Sequence, residues 1–515
     1  MEGKPKKDIS RYLTLLVFLL ALSVRLVFLL AFTEIDKPSI GDVFHHWQIA
    51  YLTKTVGFKH GFLRLWDFKG MEYYWGLLHP LVLIAAFTIS RSVSIVVPRI
   101  VSTLFGSGVV TLTFLIVARH FNKKAAFASA LFLTLLPTTV FHDTLGMQEP
   151  LGLFFLLLGI YLFPNHSFTA GFSWMLAGMV RAEYWLFGAG LLLAVLLRER
   201  NFDRKVVALF GYGIPCIFYL KYMLDWTGNP IYPIYWNFLV VGAGAWSTKT
   251  RGLTSKFQLI QSACRILSIS FFIGGLIVFW KEFKSYLFLL LGLVSLVFAF
   301  SILGFGTYLY GFMRVSTHPG FIDKIWIGKL FAFPWGFLGI LVVIFLLYLL
   351  PKKVGKLGTL LGTLVFLIVL GTTQLIWPSI NQHYLQWDQT DYEYNKKTAE
   401  FLASEYTGEG TILLPAQSEF ISYFLVYNEG ISGERLITSF YSPFYYYEGE
   451  DPFAEWDTFR EKIIEWLKKH NAELFVAPAF NKNQSRMFEL EEGKIFEYLG
   501  AIRAYRIYRV KINEN

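Results

Sequence analysis

The chain has 515 residues, of which 55% are hydrophobic, 18% aromatic and 16% charged. Soluble domains carry about 25% charged residues, and a soluble protein of this length needs far more polar surface, so a water-soluble globular protein is excluded. The formal net charge is +10. Its Lys and Arg are spread through short loops beside apolar runs rather than along one face, which argues against nucleic acid as a partner and for membrane topology.

The apolar residues come in blocks, several of them near the roughly 20 residues that cross a hydrocarbon core about 30 Å thick. The first is 12–33, preceded by Lys4, Lys6, Lys7 and Arg11. It is too long for the apolar region of a secretory signal and no small-residue cleavage site follows, so a retained signal anchor is predicted. Further spans are predicted at 93–118, 124–140, 149–163, 168–182, 184–197, 205–224, 258–280, 285–311, 330–350 and 357–377, about eleven in all.

Loop charges set the orientation. With a cytoplasmic N-terminus, Arg119, Lys123 and Lys124, then Arg198, Arg200, Arg204 and Lys205, then Lys281 and Lys284, then Lys352, Lys353 and Lys356 all fall on the cytoplasmic side, as the positive-inside rule requires. An odd number of spans places the C-terminus outside. Residues 1–379 are therefore read as a membrane module and 380–515 as an extracytoplasmic domain. In that domain helix-like stretches (391–406, 417–428, 454–470) alternate with short apolar strands (411–415, 435–440, 473–478, 503–510), the pattern of an α/β layer fold. Cys216 and Cys264 both fall in predicted spans, which excludes a disulfide framework and a cysteine-based zinc site.

Candidate chemistry gathers in the outer loops. The first runs from Glu34 to about Ser92 and contains G-D-V-F-H-H-W-Q-I-A at 41–50. There Asp42, His45, His46 and Ile49 recur at helical spacing. A second apolar piece, 77–87, holds His79 and is too short to span, so it is read as a juxtamembrane helix. The next outer loop is F-H-D-T-L-G-M-Q-E-P-L at 141–151, with His142, Asp143 and Glu149. Glu149 just before Pro150 also fits a helix start stabilised by the dipole. Arg25 lies in the first span, Arg181 and Glu183 near the end of the fifth, and Arg314 and His318 between the ninth and tenth. Ionisable groups in or beside a span are site candidates by default, and a guanidinium grips phosphate with two parallel hydrogen bonds.

The ordered series of these features resembles the GT-C superfamily of membrane glycosyltransferases, of the protein O-mannosyltransferase and aminoarabinose transferase type. The series comprises Arg25 near the end of the first span, Asp42 early in the first outer loop and Leu78-His79-Pro80-Leu81 in its amphipathic helix. P-R-I-V-S-T-L-F-G (98–106), A-R-H-F-N-K-K (118–124), Glu149, the R-A-E step at 181–183, G-N-P-I-Y-P (228–233) and Arg314 follow in order. Three departures stand out: Val43 occupies the position of a second acidic residue, the His-Pro step has one proline, and the second acidic residue is Glu rather than Asp. The whole-oligosaccharide signature W-W-D-Y-G is absent from the C-terminal domain.

The resemblance implies transfer of a sugar from a polyprenyl (dolichyl) phosphate donor to an acceptor hydroxyl on a protein, lipid or glycan, at the outer side of the bilayer. In it Asp42 and Glu149 are the catalytic candidates, with Asp42 the general base of a single displacement. Arg25, Arg181, Arg314 and His318 bind the donor phosphate. His45, His46, His79, His142, Asp143 and Glu183 support the acceptor or the site. The expectation is either no required cofactor or a divalent cation, held by Asp42, His46 and Glu149 if present; adjacent histidines diverge by about 100° on a helix, so His45 and His46 do not readily share one ion. The rival classes are a transporter, whose mid-span charges and internal repeats are not seen, and a membrane-anchored binding protein using 380–515.

Overall fold

The computed structural model describes residues 11–38, 42–57, 73, 75–235, 335–381, 389–415, 418–438, 456–478 and 494–512. The spans expected at 258–280 and 285–311, and Arg314 and His318, lie outside them. In chain order the helices of the first two-thirds are α1 (Arg11–Val27, continued by a wider π turn at Phe28–Phe32), α2 (Asp42–Leu52), α3 (Leu78–Ser90), α4 (Val96–His120), α5 (Lys123–Leu135), α6 (Pro137–Leu145), α7 (Glu149–Leu162), α8 (Ser167–Val180), α9 (Ala182–Arg198), α10 (Phe202–Thr227), α11 (Trp335–Ile344) and α12 (Leu350–Thr373). The chain divides into two compact units, 1–40 with 73–82 and 95–387, and 41–72 with 83–94 and 388–515. One division falls near 387. The second unit, however, also takes in pieces of the first outer loop, including α2, so it is discontinuous in sequence.

In the first unit, Arg11–Phe32, Val96–His120, Phe202–Thr227 and Val342–Ile376 are long and apolar enough to cross a membrane. The last is two helices. Gly355 has φ +68° and breaks the helix, and a Cβ on Gly362 would strike the Leu346 carbonyl. Those residues would stand roughly 24 Å apart on a straight helix, so the chain reverses at Gly355, between the spans expected at 330–350 and 357–377. The core of this part is Val17 and Ala21 of α1, Phe114 of α4, Phe132 of α5, and Leu346 and Phe366 of the hairpin, all buried.

The span expected at 124–140 is instead a bent pair, α5 and α6, meeting at 61°. Leu136 takes an extended conformation and Pro137 opens the new helix, where its fixed φ suits the first position and its missing N–H costs nothing. Helix α6 then runs through His142 and Asp143 to Gly146, which caps it at φ +98°. These two residues are thus helical, and only 146–148 form a loop.

Helices α7, α8 and α9 make two successive reversals. A Cβ on Gly159 would meet Trp174, and one on Gly188 would meet the Trp174 carbonyl. Glycines at these crossings let backbones approach, the usual device for helices packed in lipid. The second reversal is made by one residue, Arg181, extended at φ −158°, ψ 146° between α8 and α9. At the ends of this unit the loop charges sort themselves. Arg119 Nη1 donates to the Tyr161 carbonyl at 2.6 Å, joining the end of α4 to the end of α7. Asn122 Nδ2 donates to the Leu347 carbonyl at 3.4 Å, and Lys352 lies over the Tyr348 ring at 4.3 Å. Close glycine contacts, Gly171 on Ala208 and Gly211 on Phe168, bring the start of α10, with Arg204 and Lys205, to the start of α8. Three of the four basic clusters therefore share one end of the unit.

The second unit is built on a five-stranded sheet. Its strands are β1 (Thr411–Leu414), β2 (Leu436–Thr438), β3 (Ala472–Pro478), β4 (Phe496–Ile502) and β5 (Tyr505–Val510), in the order β2-β1-β3-β5-β4. Strands β2, β1 and β3 are parallel, while β5 and β4 continue antiparallel. Helix α13 (Gln389–Glu405) precedes the sheet, and α14 (Glu419–Tyr427) and α15 (Trp456–Lys469) supply the crossovers that parallel strands need. Strand β1, buried at every position, reads as the continuous apolar run of a strand covered on both faces. Ile463 and Leu467 of α15, four apart on one face, pack on Leu413, Phe475 and Tyr508.

Candidate functional site

Three buried arginines stand at the end of the first unit remote from the basic loops. Arg25 is 0% exposed and forms an ion pair with Asp143, also 0% exposed, at 2.7 Å. Its other groups donate to the carbonyls of Ala21 at 3.2 Å and Leu133 at 3.4 Å. Asp143 is fixed from behind, because Ser102 Oγ of α4 donates to its backbone carbonyl at 2.7 Å. A Cβ on Gly106 would run into the Asp143 side chain. Arg25, expected on a donor phosphate, is thus completed within the helices. The reason is the run of α6 through Asp143, which delivers a carboxylate to the middle of the bundle.

Arg99 opens α4 and is 1% exposed. Its Nε donates to the Thr144 carbonyl at 2.9 Å, Nη1 to the carbonyls of Glu34 at 2.7 Å and Ile35 at 2.8 Å, and Nη2 to Thr33 Oγ1 at 3.1 Å. One guanidinium fork therefore ties the end of α6 to the beginning of the outer loop that carries Asp42. The motif P-R-I at the head of the span was the signal for it.

The third is Arg181, whose Nη1 donates to Glu149 Oε1 in a buried pair. The residues are 32 apart in sequence, but α7 and α8 are antiparallel neighbours, so the start of one meets the end of the other. Tyr184 Oη adds a hydrogen bond to the Glu149 carbonyl at 3.1 Å. The Gln148 amide, oriented to satisfy both groups, donates to the carbonyls of Trp75 at 2.8 Å and Val180 at 3.0 Å. Glu183 lies in α9, two residues past the Arg181 bend.

In the second unit, Asp42 opens α2. Residues Val43 to Leu52 are all buried, and Asp42 is the one residue of the helix that is partly exposed. No hydrogen bond or ion pair engages its carboxylate among the described residues. His45 and His46 are buried behind it, with His45 Nε2 3.6 Å from Glu419 Oε2. His79, on α3, and His142, on α6, are buried as well; the His142 ring meets Phe141 edge-on, centroids 5.7 Å apart. Among the described residues no three His, Cys, Asp or Glu side chains come together as a metal site. Of the donor set considered from sequence, Asp42 and His46 belong to the second unit and Glu149, paired with Arg181, to the first.

The chain is similar to several solved structures. One is the Archaeoglobus fulgidus oligosaccharyltransferase in complex with Zn and sulfate (13% identity, 96% of this chain and 72% of that chain, TM-score 0.49). A second is ArnT from Cupriavidus metallidurans in the apo state (13% identity, 98% of each chain, TM-score 0.45). A third is AglB from Archaeoglobus fulgidus with an inhibitory peptide and a dolichol-phosphate (14% identity, 91% of this chain and 70% of that chain, TM-score 0.46). Likeness at this level is distant in both sequence and shape. No family model and no curated protein matches the chain.

Proposed function

We propose that this chain is a polytopic membrane glycosyltransferase that moves a sugar from a polyprenyl-phosphate donor to an acceptor hydroxyl at the outer face of the bilayer. One observation carries the reading. Two of the acidic candidates the sequence offers, Asp143 and Glu149, are paired with buried arginines. Asp42 combines partial exposure with a carboxylate unengaged among the described residues. A general base must meet the proton that it removes, and its partial exposure supports Asp42 in that role.

In this reading Asp42 accepts the proton of the acceptor hydroxyl as the oxygen attacks the anomeric carbon and the lipid phosphate leaves with its bonding electrons. Single displacement of this kind inverts the anomeric centre. Arg181, Arg314 and His318 are the proposed phosphate partners, neutralising charge as it develops on the leaving group. Arg25 is withdrawn from that set and becomes a support of Asp143. Glu149 becomes the group that orients Arg181 rather than a second base. The ordered motifs support the choice of a lipid-phosphate donor. The gathering of three basic loops at one end of the first unit supports a cytoplasmic N-terminus and an extracytoplasmic C-terminal domain. The described apolar helices and those expected at 258–280 and 285–311 make up the membrane module.

The test is a panel of radiolabelled polyprenyl-phosphate sugars incubated with purified protein and a membrane extract, comparing wild type with Asp42→Asn. Label transfer that requires Asp42 is the expected result and identifies the sugar. No transfer from any donor, by protein shown to be folded, overturns the glycosyltransferase reading in favour of transport or binding.

A further inference from the structure

Helix α2 is almost wholly buried, yet its sequence is not uniformly apolar: His45, His46 and Gln48 are buried along with Phe44, Trp47 and Ile49. A helix this short does not hold its place alone, so its position is set by what it packs on. Within the second unit that support is α14 of the sheet domain. The Phe44 ring lies 4.5 Å from Phe420 and 5.2 Å from Tyr423, centroid to centroid. Trp47 meets Tyr423 edge-on at 4.9 Å, and its Nε1 donates to the Val93 carbonyl at 2.6 Å. Further along, Tyr51 stacks on Trp47 at 5.1 Å and takes a backbone hydrogen bond from Gly433. Nearest the Asp42 end, His45 faces Glu419 across 3.6 Å, and both side chains are about nine-tenths buried.

The aromatic contacts are apolar and tolerate sliding along the helix axis. The Trp47–Val93 hydrogen bond holds the middle of the helix, and the His45–Glu419 contact is the buried polar one nearest the carboxylate, less than one turn from Asp42. We infer that Glu419 is a positioning residue of the active site: acting through His45, it fixes the Asp42 end of α2 and so the reach of the catalytic carboxylate. The C-terminal domain thereby becomes the mount of the base rather than a separate binding module. This inference rests on Asp42 being the base, but its structural arm can be read without any substrate.

The test uses the full-length protein in lipid nanodiscs, with Glu419→Ala, Glu419→Gln, His45→Ala and the double variant His45→Ala/Glu419→Ala. Hydrogen exchange read on peptides covering residues 42–52 is expected to speed up in Glu419→Ala and in His45→Ala. It is expected to stay near wild type in Glu419→Gln, which keeps an acceptor oxygen. With a polyprenyl-phosphate sugar that wild type turns over, Glu419→Ala is expected to lower kcat about 10- to 100-fold, the scale of a misplaced catalytic group. Its KM for the donor stays within about twofold, because the donor phosphate is not its partner. The double variant is expected to be no slower than the worse single one. Wild-type exchange in Glu419→Ala, losses that multiply in the double variant, or a raised KM with kcat intact each overturn the inference. If Glu419→Ala does not fold, His45→Ala and Glu419→Gln decide it from the other side of the contact. If wild type uses no donor, the proposed function fails while the exchange arm still decides whether Glu419 holds α2.

Discussion

Arg25 and Asp143 show what a buried pair does at the scale of one residue. Both are fully buried, so removing one partner leaves the other charged and uncompensated. Arg25→Met is expected to destabilise the protein by about 3–5 kcal/mol, whereas Arg25→Met with Asp143→Leu restores stability to near wild type. Thermal unfolding in detergent checks both. The pairing itself was illegible in the sequence because its members lie 118 residues apart. The candidates were visible one at a time, as an arginine in a span and an acid in a turn; that they cancel one another depends on α6 continuing past the expected end of the span. Asp42 was legible because it opens a helix whose spacing could be counted. Glu419 was not, since nothing in S-E-F-I-S-Y-F shows that a histidine from the first outer loop lies across from it. A smaller effect concerns His470, at the end of α15. Burial, and then the neighbouring Lys469, lower its pKa from 6.5. The folded state then binds fewer protons than the unfolded one below about pH 6.5, so stability present at neutral pH declines as pH falls through that value. His470→Gln should flatten the pH dependence of the domain's unfolding between about pH 7 and 5.

At the scale of elements, helices packed through glycine give a sharp contrast. A Cβ on Gly171 would enter the backbone of α10 at Ala208, while Gly213, on α10 itself, has open space. Gly171→Leu should part α8 from α10 and cost about 1–3 kcal/mol by overpacking; Gly213→Leu should be near neutral. Relative melting temperatures of the two variants check this. Element type was largely readable: the helices expected at 391–406, 417–428 and 454–470 appear as Gln389–Glu405, Glu419–Tyr427 and Trp456–Lys469. The expected strands appear too, while Phe496–Ile502 was not foreseen. That strand contains Gly500, and its pairing slips between Tyr498 and Gly500, so the alternation that marks a strand is interrupted in the middle. The bend within the span expected at 124–140 was not legible because both halves of the pair are apolar; only Pro137 marks the break, and a proline at a helix start and one inside a kinked span look alike in a sequence.

For the whole molecule, charge sidedness is the organising fact. The clusters around Arg119, Arg204 and Lys352 lie far apart in the chain and come to one end of the first unit, as the positive-inside rule expects of a single cytoplasmic face. In a background with Cys216 and Cys264 replaced by Ser, a cysteine at Lys353 should react with a membrane-impermeant maleimide only from the cytoplasmic side. One at Glu497 should react only from outside, and the opposite pattern overturns the proposed orientation.

The most direct measurement of the central claim is the single-turnover rate of sugar transfer in Asp42→Asn beside wild type, at saturating donor, with both proteins matched for folding by thermal unfolding. A general base contributes about 10²- to 10⁴-fold, so transfer should slow by that factor in Asp42→Asn with donor binding unchanged. Transfer at the wild-type rate in Asp42→Asn would contradict the account and return the base to another carboxylate of the outer face.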